Sequence, residues 1–77
     1  MEINEFIQNF ADQFDDADMS VFTPKTAFRE LKGYSSLVAL SIIAMVDEMY
    51  GVLIGNNEMK VAITIEDLFN IVKAKVK

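Results

Sequence analysis

Residues 37–46 run Leu37, Val38, Ala39, Leu40, Ser41, Ile42, Ile43, Ala44, Met45, Val46, with one polar side chain among ten. Bounded by Ser35-Ser36 before it and Gly51 after it, this stretch predicts a helix over residues 36–50, with Ser35 or Ser36 as its cap. A helix that is apolar on nearly every side must be buried on most faces or keep an apolar strip for a partner. The requirement is severe, because 77 residues lie near the lower limit for a core that is stable without staples. There is no Cys and no His, so disulfides are excluded and the usual zinc ligands are missing. One domain over 1–77 must therefore form by apolar packing alone, and 52% hydrophobic residues with six Phe and five Met supply the material. The Met side chains also leave the core or a surface groove adaptable.

The rest of the chain supplies elements to pack against this helix. Ile3, Phe6, Ile7, Phe10 and Phe14 recur at spacings of three and four, predicting an amphipathic helix over 2–15. Glu2 and Glu5 in its first turn suit the positive end of the helix dipole. Residues 19–32 predict a long loop: Pro24 breaks any helix, and Phe22, Phe28 and Leu31 act as apolar pegs. Val52-Leu53-Ile54 has no partner strand and predicts an extended, core-facing segment, followed by one short helical turn over 56–61. Thr64 with Asp67 three residues on is a capping-box pattern opening a last helix striped by Ile65, Leu68, Phe69, Val72 and Val76. Lys73, Lys75 and Lys77 suit the negative end of that helix. The expected fold is all-α: a small four-helix bundle of three main helices and one short one, with a long loop between the first and second.

Charge narrows the partners. Seven basic against twelve acidic residues give a net charge of −5. Residues 1–18 hold six acids and no base, whereas residues 60–77 hold four Lys against Glu66 and Asp67. Phosphate backbones repel such a domain, so no nucleic-acid partner is expected, and basic protein partners are favoured. The start of the chain lacks the pattern of a secretory signal, and residues 37–46 are too few to span a bilayer. A cytoplasmic monomer without membrane insertion is the expectation.

Candidate chemistry is sparse. Asp16, Asp18 and Ser20 alternate as in a calcium loop, but Val21 stands where the sharp-turn Gly belongs and Ala27 where the bidentate Glu belongs. No metal site is expected there. Asp47-Glu48 and Glu66-Asp67 are adjacent pairs whose side chains diverge on a helix, so they do not form a general acid and base. A serine nucleophile needs a base in reach, and without His no motif places one. No enzyme activity is expected. The serine pair by itself reads as plain capping.

Its surroundings add to that reading. Phe28-Arg29-Glu30-Leu31-Lys32-Gly33-Tyr34-Ser35-Ser36-Leu37, the apolar helix ending Val46-Asp47-Glu48-Met49-Tyr50-Gly51-Val52, the following Ile54, and Ile63-Thr64-Ile65-Glu66-Asp67-Leu68 stand at fixed offsets. In these residues the chain resembles the acyl carrier protein family, in particular members with a Trp-Asp-Ser-Leu signature. The resemblance covers residues 22–76 and the apolar first helix. It implies a carrier that is not itself a catalyst. Ser36, the serine before the Leu, would receive a covalent 4′-phosphopantetheine arm from coenzyme A through a magnesium-dependent phosphopantetheinyl transferase. The arm's thiol would hold an acyl or aminoacyl group as a thioester for acyl-handling enzymes of fatty acid, polyketide or peptide synthesis.

In the family the second helix is also the docking face, which maps here to Leu37, Val38, Ser41, Ala44, Met45, Asp47 and Glu48, with Leu40, Ile43 and Val46 left to the core. Space for an acyl chain is expected near Val46, Ile54 and Ile63, made adaptable by Met45 and Met49. The chain departs from the family at Ser35, where an Asp normally helps the transferase recognise its target, and Ser35 is then best read as the helix cap. Val38 and Ser41 replace acids common on the docking face, so docking should rest more on apolar contact. These departures motivate an alternative: an unmodified carrier-like interaction module that docks partners through its apolar second helix.

Overall fold

The computed structural model describes residues 2–15 and 18–76. Four helices appear among them: α1 (Ile3–Ala11), α2 (Ser36–Tyr50), α3 (Asn56–Val61) and α4 (Ile65–Lys75). The all-α four-helix bundle expected from periodicity is the fold observed. Helix α2 starts and ends where its flanking Ser and Gly place it. Gly51 caps its C-terminus in the left-handed region at φ 67°, donating its amide to Asp47 O at 2.9 Å.

Two boundaries differ from expectation. Helix α1 stops at Ala11 rather than reaching residue 15, because the amides of Gln13 and Phe14 turn back to Phe10 O and Ala11 O in a tighter winding. Phe14 is buried all the same, as its spacing predicts. The long connection also contains two 3₁₀ turns, Met19–Val21 and Phe28–Glu30, each too short to leave a periodic pattern.

The core is aromatic. All six Phe are buried, and Phe6, Phe10 and Phe28 have no exposed surface. Phe10 joins α1 to the long loop through edge contacts with Phe28 and Phe22, at 5.4 and 6.4 Å between ring centres. Phe6 reaches Tyr50 at the end of α2 and Phe69 on α4. Phe22 and Phe28 are thus the pegs that the sequence suggests, with Leu31 half-buried beside them. The segment after α2 is extended and turns Val52 and Ile54 inward as expected, but Leu53, expected to face the core with them, is 78% exposed, because successive side chains of an extended backbone point to opposite sides. Among the described residues no polar side chain is buried.

Polar groups work at the edges. The amides of the first turn of α4 are all satisfied: Ile65 N donates to Thr26 O, Glu66 N to Pro24 O, and Asp67 N to Thr64 Oγ1 at 3.1 Å. The Asp67 carboxylate accepts from Thr64 N at 3.0 Å and from Ile63 N at 3.1 Å, completing the predicted capping box. The long loop is thereby fastened to α4, with an exposed Lys25–Glu66 ion pair at 3.1 Å alongside. At the far end of α3, Arg29 Nη1 donates to the carbonyls of Met59, Lys60 and Ala62, positions that a helix terminus leaves unpaired.

Backbone donors, Thr64 first and then Ile63, hold the Asp67 carboxyl below its ordinary value, and the Gly55 amide does the same for Glu58. Both groups bind protons less readily folded than unfolded, so their contribution is complete above the ordinary carboxylate range and fades as pH falls through it. Asp67→Asn is expected to lower the Tm at neutral pH and to reduce the loss of Tm between about pH 6 and about pH 3. Thermal melts across that range decide the matter, and an unchanged acid limb would remove Asp67 from the account. Arg29→Ala should speed amide hydrogen exchange at Met59 and Ala62 more than in the middle of α4. Uniform acceleration across both helices would instead mean that the whole fold had weakened.

Candidate functional site

The site is built at the junction of the long loop and α2. Gly33 takes φ 93°, a left-handed conformation that side chains oppose, and turns the chain toward the helix. Tyr34 then packs its ring edge-on against buried Phe28, 5.8 Å between centres. Burial pushes the Tyr34 hydroxyl above its ordinary value, with nearby Arg29 opposing the shift. Ser35 is extended and its Oγ accepts from Val38 N at 3.3 Å, which makes it the N-cap of α2. Ser36 is the first helical residue and is exposed. Its hydroxyl has no hydrogen-bond partner among the described residues.

Capping is therefore done by Ser35, and Ser36 Oγ projects from the open end of a 15-residue helix. The amides of this first turn and the positive end of the dipole favour a negatively charged group at that place. Among the described residues no carboxylate or Lys forms a hydrogen bond with Ser36 Oγ.

The outward face of α2 begins at this serine. Ile42, Met45 and Val46 are buried, with Val38, Ala39, Ile43 and Tyr50 packed beside them. On the opposite arc, Leu37, Ser41, Ala44, Asp47 and Glu48 are exposed together, so five of the seven expected docking residues share one face. Two do not. Val38 is half-buried, and Met45 is only 5% exposed, forming the floor of a groove of about 470 Å³ against Asn9, Asp12 and Gln13 of the α1 end. Leu40, expected in the core, is 60% exposed and joins the outward face, whereas Ile43 and Val46 pack as expected. An all-round apolar helix carries no periodicity to say which arc faces inward.

Of the residues near which space is expected, Val46 and Ile54 are buried and Ile63 is 57% exposed. Two clefts open between α1 and α2 and beside the long loop. Of the calcium-like positions, Asp16 lies outside the described residues, as does Ala17 between it and Asp18. Asp18 instead accepts from Ser20 N and Ser20 Oγ as a local cap, which holds its carboxyl below the ordinary value. Among the described residues no carboxylate cluster is placed to hold a metal ion. No described helix is long and apolar enough to cross a membrane. Arg29 is the positioning residue that sequence reasoning passes over, because its three carbonyl partners come from a segment about thirty residues away.

No family model, curated protein or solved structure matches the chain. The geometry separates the two serines experimentally. Ser35→Ala loses a rather long capping bond and should cost about 0.5–1 kcal/mol. Ser36→Ala should stay within about 0.5 kcal/mol of the parent. Urea midpoints give both values, and the reverse order would assign the cap to Ser36.

Proposed function

We propose that the chain is a carrier protein of the acyl-carrier kind, in which Ser36 bears a 4′-phosphopantetheine arm and α2 meets the enzymes that load and unload it. The observation that carries this reading is the division of roles between the serines: Ser35 caps the helix through the Val38 amide, and the Ser36 hydroxyl is left exposed beside the amides of Ser36 and Leu37, which have no partner among the described residues. A phosphodiester suits that place, since both the amides and the dipole favour its charge. No described residue covers Ser36, so the group fits the site. When bound, it supplies the thiol that a chain without Cys lacks, and with it the means to hold acyl or aminoacyl cargo as a thioester.

The chain's own share is modest. Ser36 Oγ would provide the ester oxygen and give its proton to a base of the transferase, as the pyrophosphate bond of coenzyme A breaks and adenosine 3′,5′-bisphosphate leaves. The helix then holds the attachment point rigid relative to Leu37, Leu40, Ala44, Asp47 and Glu48. Exposed Leu37 and Leu40 supply the apolar part of docking, and Asp47 and Glu48 offer charge to a basic partner. Carrying rather than catalysing is the role this describes.

Incubation with coenzyme A, magnesium and a broad-specificity transferase, followed by intact mass, tests the reading. One phosphopantetheine group should be added to the parent chain and none to Ser36→Ala. No gain, or a gain that persists in the variant, would sink the assignment. A second reading has its own observation: Leu37 is 75% exposed and Leu40 60%, a strip that would serve an unmodified interaction module equally well. A native sample free of the arm, with a partner that co-purifies equally with Ser36→Ala, would favour it.

A further inference from the structure

A cleft of about 600 Å³ opens where the end of α1, the long loop and the first turn of α2 converge. That volume is in the range of small-molecule sites, roughly 300–1,000 Å³. Its apolar lining comes from Phe14, Phe22, Leu31 and Val38, and the first two rings meet edge-on at 5.1 Å. Among the described residues the charged groups that line it are Asp15, Asp18 and Glu30, against Lys32. An apolar floor beneath an excess of carboxylate favours a ligand with an apolar body and a positive head, and disfavours a fatty acid.

The carboxylates are available for such a head. Ser20 donates twice to one oxygen of Asp18, at 3.0 and 2.7 Å, which orients that carboxylate while its other oxygen makes no bond among the described residues. Glu30 forms no ion pair among the described residues, and the Lys32 ammonium is likewise without a carboxylate partner among them. The cleft therefore keeps a net negative rim.

We propose that this cleft is a binding site for a small amphipathic cation: an aromatic or aliphatic body carrying one ammonium group. Gly33 and Val38 line it and flank Ser36 in the chain. On the carrier reading, which this consequence alone rests on, the cleft selects an aminoacyl cargo over a fatty acyl one. Binding of a free amine needs no modification of Ser36.

The unmodified chain is titrated with phenethylamine, hydrocinnamate and phenylpropanol, which are alike in size and differ in charge, while NMR signals are followed. Phenethylamine is expected to shift Phe14, Phe22, Gly33 and Val38 first and to bind about three-fold or more tighter than the other two. Glu30→Gln should weaken it about three-fold, and Lys32→Gln should tighten it by a similar factor, a gain that damaged folding does not produce. High salt should erase the preference. Equal binding of the three ligands, preference for hydrocinnamate, or shifts absent from these four residues would overturn the proposal. Because Ser36 carries no arm in this experiment, its failure and a failed mass test are distinguishable.

Discussion

Phe10 has no exposed surface and meets four other rings, those of Phe6, Phe14, Phe22 and Phe28, with centres 5.4 to 6.4 Å apart. The remaining structure hangs on that cluster. A long connection between two helices loses much conformational entropy when it is ordered, roughly 1–2 kcal/mol per residue for the backbone alone. Here the loss is offset by burying Phe22 and Phe28 from the connection itself. Aromatic contacts of this kind contribute about 0.5–1.5 kcal/mol each beyond their area. The chain has no disulfide to do this work. Through Phe6, the same cluster extends to Tyr50 and Phe69 and so ties α2 and α4 to α1.

The serine site is a consequence of this arrangement. Phe28 is fully buried, Tyr34 leans on it, and Gly33 turns the chain between Leu31 and Tyr34. Ser35 and Ser36 are thus delivered to the start of α2 by an anchored loop. On the other side, Arg29 grips the end of α3, and the carbonyls of Pro24 and Thr26 take the first amides of α4. A single connecting segment therefore sets the positions of three helix ends. Its polar groups are used where helices leave donors or acceptors unpaired, and its rings are used where the core needs volume.

Much of this was legible in the chain. The spacing of Ile3, Phe6, Ile7 and Phe10, the Ser and Gly that bound α2, and the Thr64–Asp67 cap each act within a few residues, so local chemistry was enough to place four helices. The extended form of the segment from Val52 to Ile54 was legible too, though three apolar residues in a row did not say that Leu53 would face outward. A serine cap for α2 was legible as well, but the residues alone left Ser35 and Ser36 open, and the Val38 amide bonded to Ser35 Oγ is what assigns it.

Other features had no local signal. A helix as apolar as α2 offers no contrast between its faces, so the exposure of Leu40 and the burial of Met45 were set by packing, with α1 coming to rest beside Met45. Arg29 gave no hint of its carbonyl partners, and Asp18 none of the cleft it borders, because both depend on residues distant in sequence. Helices and caps are governed by contacts three or four positions apart, which periodicity records. The outward face of α2, the cleft beside Ser36 and the latch on α3 are governed by how those helices pack, and packing is a property of the assembled core.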